Sequence, residues 1–139
     1  MKRWVLAILA ATMVSAHSID AQEAVAPDPR IEATIQSQID AFLQDDLARA
    51  FTFASPMIQS LFGTPENFGL MVRRGYPMVW RPEDVRFGAL REVDGALWQT
   101  VILRDAGGAT HVLGYEMVLQ DGEWRIAGVR ILPQPDVAA

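Results

Sequence analysis

The chain has no cysteine and one lysine, Lys2. The first absence excludes a disulfide scaffold, a thiolate zinc site and a cysteine nucleophile. The second leaves everything after position 2 without a Schiff-base lysine or a lysine general base, and every later basic residue is arginine. Histidine is scarce, at His17 and His111 only. Metal sites need three or four ligands at fixed spacing, so no metal and no cofactor is expected. There is no Gly-x-Ser-x-Gly elbow and no Gly-x-Gly-x-x-Gly fingerprint, and Gly63 to Gly69 lacks the Lys-Ser/Thr of a phosphate loop. Positive charge is also short: 12 basic residues face 17 acidic ones, for a formal net charge of −5. An acidic surface repels phosphate backbones, so nucleic acid is not an expected partner.

What is present suits one folded domain. Of 139 residues, 50% are hydrophobic and 21% charged, a balance typical of a globular chain with a single core. The N-terminus opens on Met1-Lys2-Arg3 and an apolar run from Trp4 to Val14, followed by small residues at Ser15-Ala16 and Ala21. A positive start, a short apolar stretch and a small-residue cleavage site predict a secretory signal over residues 1–21, and so a periplasmic or secreted protein. The apolar run is well short of the ~20 residues of a spanning helix, so no membrane span is expected after cleavage. Residues 22–27 read as a linker, residues 28–132 as a single domain and residues 133–139 as a frayed tail.

Punctuation along the domain is regular. Asp28-Pro29, Ser55-Pro56 and Thr64-Pro65 each pair a capping side chain with a proline suited to the first helical position. Ile31, Ile35, Ile39, Phe42 and Leu43 form the apolar stripe of the first helix. Asp45-Asp46 breaks that helix and caps a second through Phe51 and Ala54; the third and fourth end near Gly63 and Gly75. Tyr76 to Glu83, with two prolines, reads as an extended connection. From Asp84 the apolar period becomes two. Strands are predicted over 84–92, 96–104, 110–120 and 123–132, separated by Asp94-Gly95, Gly107-Gly108 and Asp121-Gly122. Helices followed by a hairpin-linked meander predict an α+β fold, N-terminal helices packed on a four-stranded antiparallel sheet.

Strand alternation assigns faces. His111, Leu113, Tyr115, Met117 and Leu119 share the larger, more apolar face of the third strand and are expected to meet the helices, as are Val85, Phe87 and Ala89 in the first and Trp124 and Ile126 in the last. The second strand is ambiguous between Trp98, Thr100, Ile102 and Leu97, Val101, Leu103. His111 and Tyr115 then point inwards, either into a pocket or as core groups with satisfied hydrogen bonds. The segment from Leu61 to Pro82 crowds aromatics, prolines, glycines and arginines into a helix-to-strand joint, where functional residues often gather. Arg73-Arg74 also complement a helix dipole, and Tyr76 and Trp80 could line a pocket mouth or only cover the core edge.

Phe53-Ala54-Ser55-Pro56, Phe62-Gly63-Thr64-Pro65, Phe68, Met71-Val72, Gly75-Tyr76-Pro77, Trp80-Arg81-Pro82, Tyr115-Glu116-Met117 and the run from Gly122 to Val129 together resemble the family known as domain of unknown function DUF4864. The resemblance covers residues 30–132. It implies kinship with the nuclear transport factor 2-like, or SnoaL-like, superfamily, and hence a cone in which helices lie across a curved four-stranded sheet. That superfamily holds isomerases, dehydratases, hydrolases and non-catalytic binding or dimerising modules, so a fold and a pocket are implied rather than a reaction. Its isomerases pair a pocket aspartate with a tyrosine oxyanion hole; here Tyr115 faces inwards with no obvious aspartate partner.

Three functions follow as expectations. The first is a non-enzymatic domain binding a small apolar or anionic ligand, or a protein partner, through Tyr76, Trp80, Arg81, Trp98, His111 and Tyr115. The second is a small isomerase, dehydratase or hydrolase with His111 as base and Tyr115 as donor. The third is a homodimer formed through the outer sheet face at Val112 and Val118.

Overall fold

The computed structural model describes residues 22–134; the expected signal segment and residues 135–139 lie outside the described residues. Five helices and five strands follow one another as β1 (Gln22–Val25), α1 (Pro29–Leu43), α2 (Leu47–Thr52), α3 (Pro56–Phe62), α4 (Pro65–Gly75), α5 (Pro77–Trp80), β2 (Asp84–Val93), β3 (Ala96–Arg104), β4 (Thr110–Gln120) and β5 (Glu123–Leu132). The sheet is antiparallel throughout, in the order β1-β2-β3-β4-β5.

The caps act as their side chains require. Asp28 accepts from the Arg30 amide, Asp46 from Arg49, Ser55 from Ile58 and Thr64 from Asn67, so the first turn of each of α1 to α4 has a side chain for one of its free N–H groups. The α1 stripe is buried: Ile31, Ile35, Ile39 and Phe42 are inaccessible to solvent. They join Leu90, Val101, Leu103, Leu113, Tyr115, Met117 and Ile126 of the sheet in one core.

Two expectations are corrected. The sheet has five strands, not four, because the residues read as a linker pair with β2 as Gln22↔Val93 through Val25↔Leu90. That strand is set by the open N–H and C=O row of β2 rather than by any pattern of its own, which is why alternation did not reveal it. The stretch from Tyr76 to Glu83, read as extended, contains the single turn of α5. Pro77 pre-sets its first helical dihedral, but Tyr76 supplies no side-chain cap, so the usual start signal is missing.

The hairpin turns carry the backbone that Asp-Gly pairs favour. Asp94 and Gly95 sit at φ 49° and 81°, Asp121 and Gly122 at 51° and 80°, the doubly positive geometry of a tight two-residue hairpin. Two bulges shift the faces. The β2–β3 register slips between Phe87 and Leu90, so Leu90 is buried and Ala89 is exposed, against the expected inward Ala89. On β3 the ambiguity resolves to Leu97, Gln99, Val101 and Leu103 inwards and Trp98, Thr100 and Ile102 outwards. The buried Gln99 donates from Nε2 to the carbonyls of Gly88, 3.0 Å, and Thr100, 2.9 Å, and so holds the bulge. The second bulge lies between Glu116 and Met117 on β4, where Ala127 is the extra residue of β5.

The helical half is clipped to the free edge of β5. Ser55 donates its amide to the Ile126 carbonyl at 2.8 Å, and Ile126 donates to the Phe53 carbonyl at 2.8 Å, a parallel bridge centred on Ala54 and Ile126.

Ile35→Ala is expected to cost about 2–5 kcal/mol of unfolding free energy through the cavity it leaves; a fall in urea midpoint at unchanged slope would show it. Gln99→Leu is expected to cost about 1–3 kcal/mol, because two half-buried carbonyls at the bulge lose a donor; urea titration checks this as well, and an unchanged midpoint would refute the assigned role.

Candidate functional site

Between α3, α4 and the inner face of the sheet lies a cavity of about 280 Å³. Each wall has a sequence cause. α1 contributes Gln38 and Phe42 from its buried stripe. α3 contributes Ile58, Leu61 and Phe62, and α4 contributes Phe68, Met71 and Val72. The floor is Tyr115 of β4 with Ile126, Gly128 and Val129 of β5. The β5 bulge sets this floor, since Ile126 pairs with Met117 before it and Val129 with Tyr115 after it. The aromatic wall is continuous: the Phe68 ring lies 5.9 Å from Phe42, 5.5 Å from Phe51 and 5.8 Å from Phe62, centroid to centroid, each pair tilted. α3 has no buried residue, and Leu61, although it lines the cavity, is 71% exposed. The cavity therefore meets solvent beside α3.

Among the described residues no carboxylate, histidine, arginine or lysine lines this space; its titratable groups are two phenols. Tyr76, at the end of α4, donates its hydroxyl to the Val129 carbonyl at 3.3 Å. Tyr115 is fully buried, and its hydroxyl has no hydrogen-bond partner among the described residues. Burial pushes that phenol far above its ordinary range, and the nearby Tyr76 adds to the shift. At neutral pH it is an uncharged O–H, free to donate or accept. The remaining polar liner, Gln38, is tied by Nε2 to the Ala50 carbonyl.

Of the six residues singled out from the sequence, the structure brings Tyr76 and Tyr115 together and separates the other four. Trp80 packs on Phe42 at 5.6 Å outside the cavity wall. Arg81 holds the end of α1: its Nη1 donates to the carbonyls of Phe42, 2.7 Å, and Trp80, 2.9 Å, its Nη2 meets Asp45, and its guanidinium lies over the Trp80 ring at 4.7 Å. It joins the last turn of α1, where the Phe42 carbonyl also accepts from the Asp45 amide, to the end of α5 at Trp80. Trp98 stands on the outer sheet face under the Arg130 guanidinium, 4.5 Å away. His111 lies at the β3–β4 hairpin, with Nε2 2.8 Å from Asp105. It is four residues from Tyr115 on the same strand, roughly 13 Å along it, so the two do not form one catalytic pair. Leu119, expected inwards, is exposed beyond the last helix contact.

The liners missed from the sequence are those of α1, α3 and α4. Their spacing is that of an ordinary core stripe, and a stripe facing a core and one facing a cavity read alike. A second hollow, bounded by Arg30, Thr34, Phe53, Trp124 and Arg125, mixes exposed charge with apolar surface. Among the described residues no cluster of three or more histidines or carboxylates could hold a metal, and no helix is long and apolar enough to cross a membrane.

With that geometry established, comparison with known proteins places the chain. The family model for a domain of unknown function (DUF4864) matches residues 24–139. The chain belongs to this family. No curated protein and no solved structure matches it significantly. The match begins within β1, two residues after the strand's start.

Asp105 is the charged group with the clearest perturbation near a proposed site residue. His111, then the amides of Ala109 and Gly107, hold its carboxyl below the usual range. Its folded form ionises more readily than its unfolded form, so its stabilisation is present above about pH 4 and is lost as pH falls through the lowered value. Asp105→Asn should therefore melt below the parent protein near neutral pH, with the two melting curves converging as the solution is acidified through the lowered value; a gap that persists in strong acid would contradict this.

Proposed function

We propose that this DUF4864 domain binds a small, largely apolar and uncharged molecule in the cavity over β4 and β5, and that Tyr115 supplies the one polar contact. The observation that carries the reading is the orphaned Tyr115 hydroxyl. A buried hydroxyl without a partner costs stability, and a phenylalanine of the same shape would avoid that cost. A ligand with a carbonyl or ether oxygen would satisfy the group, while its body displaces water from the aromatic wall. The cavity volume is near the low end of ligand pockets, ~300–1,000 Å³, which suits a compact molecule. With no cation on the lining, a neutral ligand fits better than an anionic one, and with no charged acid or base there, binding fits better than acid–base chemistry.

Export belongs to the same proposal. The opening Lys2-Arg3 and apolar run support a cleaved leader and a periplasmic or secreted ligand-binding domain; a mature mass beginning at residue 1 in protein recovered from its native cell would reject this. Kinship with the nuclear transport factor 2-like superfamily is likewise proposed, supported by helices gathered over one sheet face with a cavity between.

The test is a binding comparison between the parent protein and Tyr115→Phe, using the neutral fluorophore N-phenylnaphthylamine as the cavity probe. The variant should be as stable as the parent or more so, by up to ~1–2 kcal/mol. It should bind the probe equally well. A medium-chain methyl ketone should displace the probe from the parent about five- to tenfold better than from the variant, the worth of one hydrogen bond, and an alkane of equal length should show no such difference. Failure of the parent to bind the probe, or equal displacement by the ketone from both proteins, would overturn the proposal.

A further inference from the structure

The cavity opens beside α3, and three of the six large hydrophobic residues exposed among the described residues lie on α3 and α4. On α3, Met57 is 67% and Leu61 71% exposed; on α4, Leu70 is 45% exposed. Met57 and Leu61 are one helical turn apart and so lie side by side. On α4, Met71 and Val72 face the cavity, which turns Leu70, Arg73 and Arg74 outwards within an arc of ~100° at the spacing of an α-helix. Leu70 is thus flanked by the two arginines. α3 and α4 are joined at this end by the Asn67 amide, which donates to the Phe62 carbonyl at 3.1 Å, and by the Phe62–Phe68 ring contact. Of their exposed apolar residues, Leu61 lines the cavity at its opening, and Met57 lies beside it on the same helix face.

The charge of this surface runs against that of the chain. The formal net charge is −5, yet Arg73 and Arg74 are exposed and neither appears in an ion pair among the described residues. The one acid of α4, Glu66, sits in its first turn beside the Asn67–Phe62 junction with α3, roughly 10 Å along the helix from Arg73. Exposed aliphatic side chains bordered by free arginines have the chemistry that an anionic lipid surface recognises, with apolar groups entering the headgroup boundary and guanidinium groups meeting phosphates. A dipole role for Arg73 and Arg74 at the α4 C-terminus would account for the charge, but not for Met57, Leu61 and Leu70 beside it.

We infer that the α3–α4 surface docks on an anionic bilayer and that the apolar ligand passes between the bilayer and the cavity through the opening at Leu61. This rests on the cavity being the ligand site. α3, with no buried residue of its own, is the element whose displacement would widen that opening.

Sedimentation with vesicles is the test. The protein should sediment with vesicles of phosphatidylcholine and phosphatidylglycerol in equal parts, should not do so with phosphatidylcholine alone, and should lose binding as salt is raised. Arg73→Gln with Arg74→Gln should weaken vesicle binding on the order of tenfold or more, and Met57→Ser with Leu61→Ser should abolish it. All four side chains are exposed, so both double variants should keep the parent's circular dichroism and melting temperature. The arginine variant should also keep its affinity for N-phenylnaphthylamine in vesicle-free solution, which separates loss of docking from loss of the cavity. Equal sedimentation with both lipid mixtures, or vesicle binding unchanged in both variants, would overturn the inference. A dimer in light scattering that Met57→Ser with Leu61→Ser dissolves would assign the surface to a second copy of the chain and overturn it too.

Discussion

Two backbone hydrogen bonds, Ser55 to Ile126 and Ile126 to Phe53, tie the helices to the meander. They form at the outer edge of β5, where a strand would otherwise leave its polar groups without partners. Ser55 also caps α3, so the residue that joins the sheet is the one that launches the helix beside the cavity. Ala54, at the bridge centre and in the cavity wall, has a side chain small enough to let the backbones meet. Both the position of α3 and the depth of the cavity depend on this join.

Around it the structure divides its polar groups into two kinds. Gln38, Gln99 and Arg81 all serve backbone carbonyls: the first at Ala50, the second at the β2 bulge, the third at the end of α1. Each converts a possible buried penalty into a positional constraint. Tyr115 belongs to the other kind, surrounded by apolar walls and given no partner. Two buried side-chain groups have no partner among the described residues, Trp124 Nε1 and the Tyr115 hydroxyl, and only the second belongs to a residue that lines the cavity, a composition suited to receiving something rather than to closing tightly.

The sequence made the helix starts legible because each begins on a capping side chain followed closely by a residue that can only help a first turn. Asp28-Pro29, Ser55-Pro56 and Thr64-Pro65 name their own positions, and the Asp-Gly pairs do so for two hairpins. β1 was not legible, since an edge strand of four residues depends on its neighbour's backbone. Nor was the bulge at Gly88 and Ala89, because one extra residue leaves both halves of a strand with correct local alternation and only the phase between them changed. The site divided along the same line. Tyr115 followed from alternation within one strand. His111 followed from the same alternation, and Trp80, Arg81 and Trp98 from residue type, but tertiary geometry gives Arg81 to carbonyls, Trp98 to the outer face and His111 to a hairpin aspartate. Most of the cavity wall comes from α3 and α4, whose spacing specifies an apolar side without specifying what lies opposite.

β1 has a further meaning for how the molecule meets its own copies. It contributes chiefly main-chain pairing to Arg91, Glu92 and Val93 of β2, and any extended segment could offer the same pairing. A chain beginning at Ala26 would keep the helices, the cavity and the clip at Ile126, yet its β2 would present an open row of donors and acceptors to the next molecule. The first four residues of the described fold thus cover an edge that would otherwise be open to pairing, while leaving the architecture to the rest of the chain.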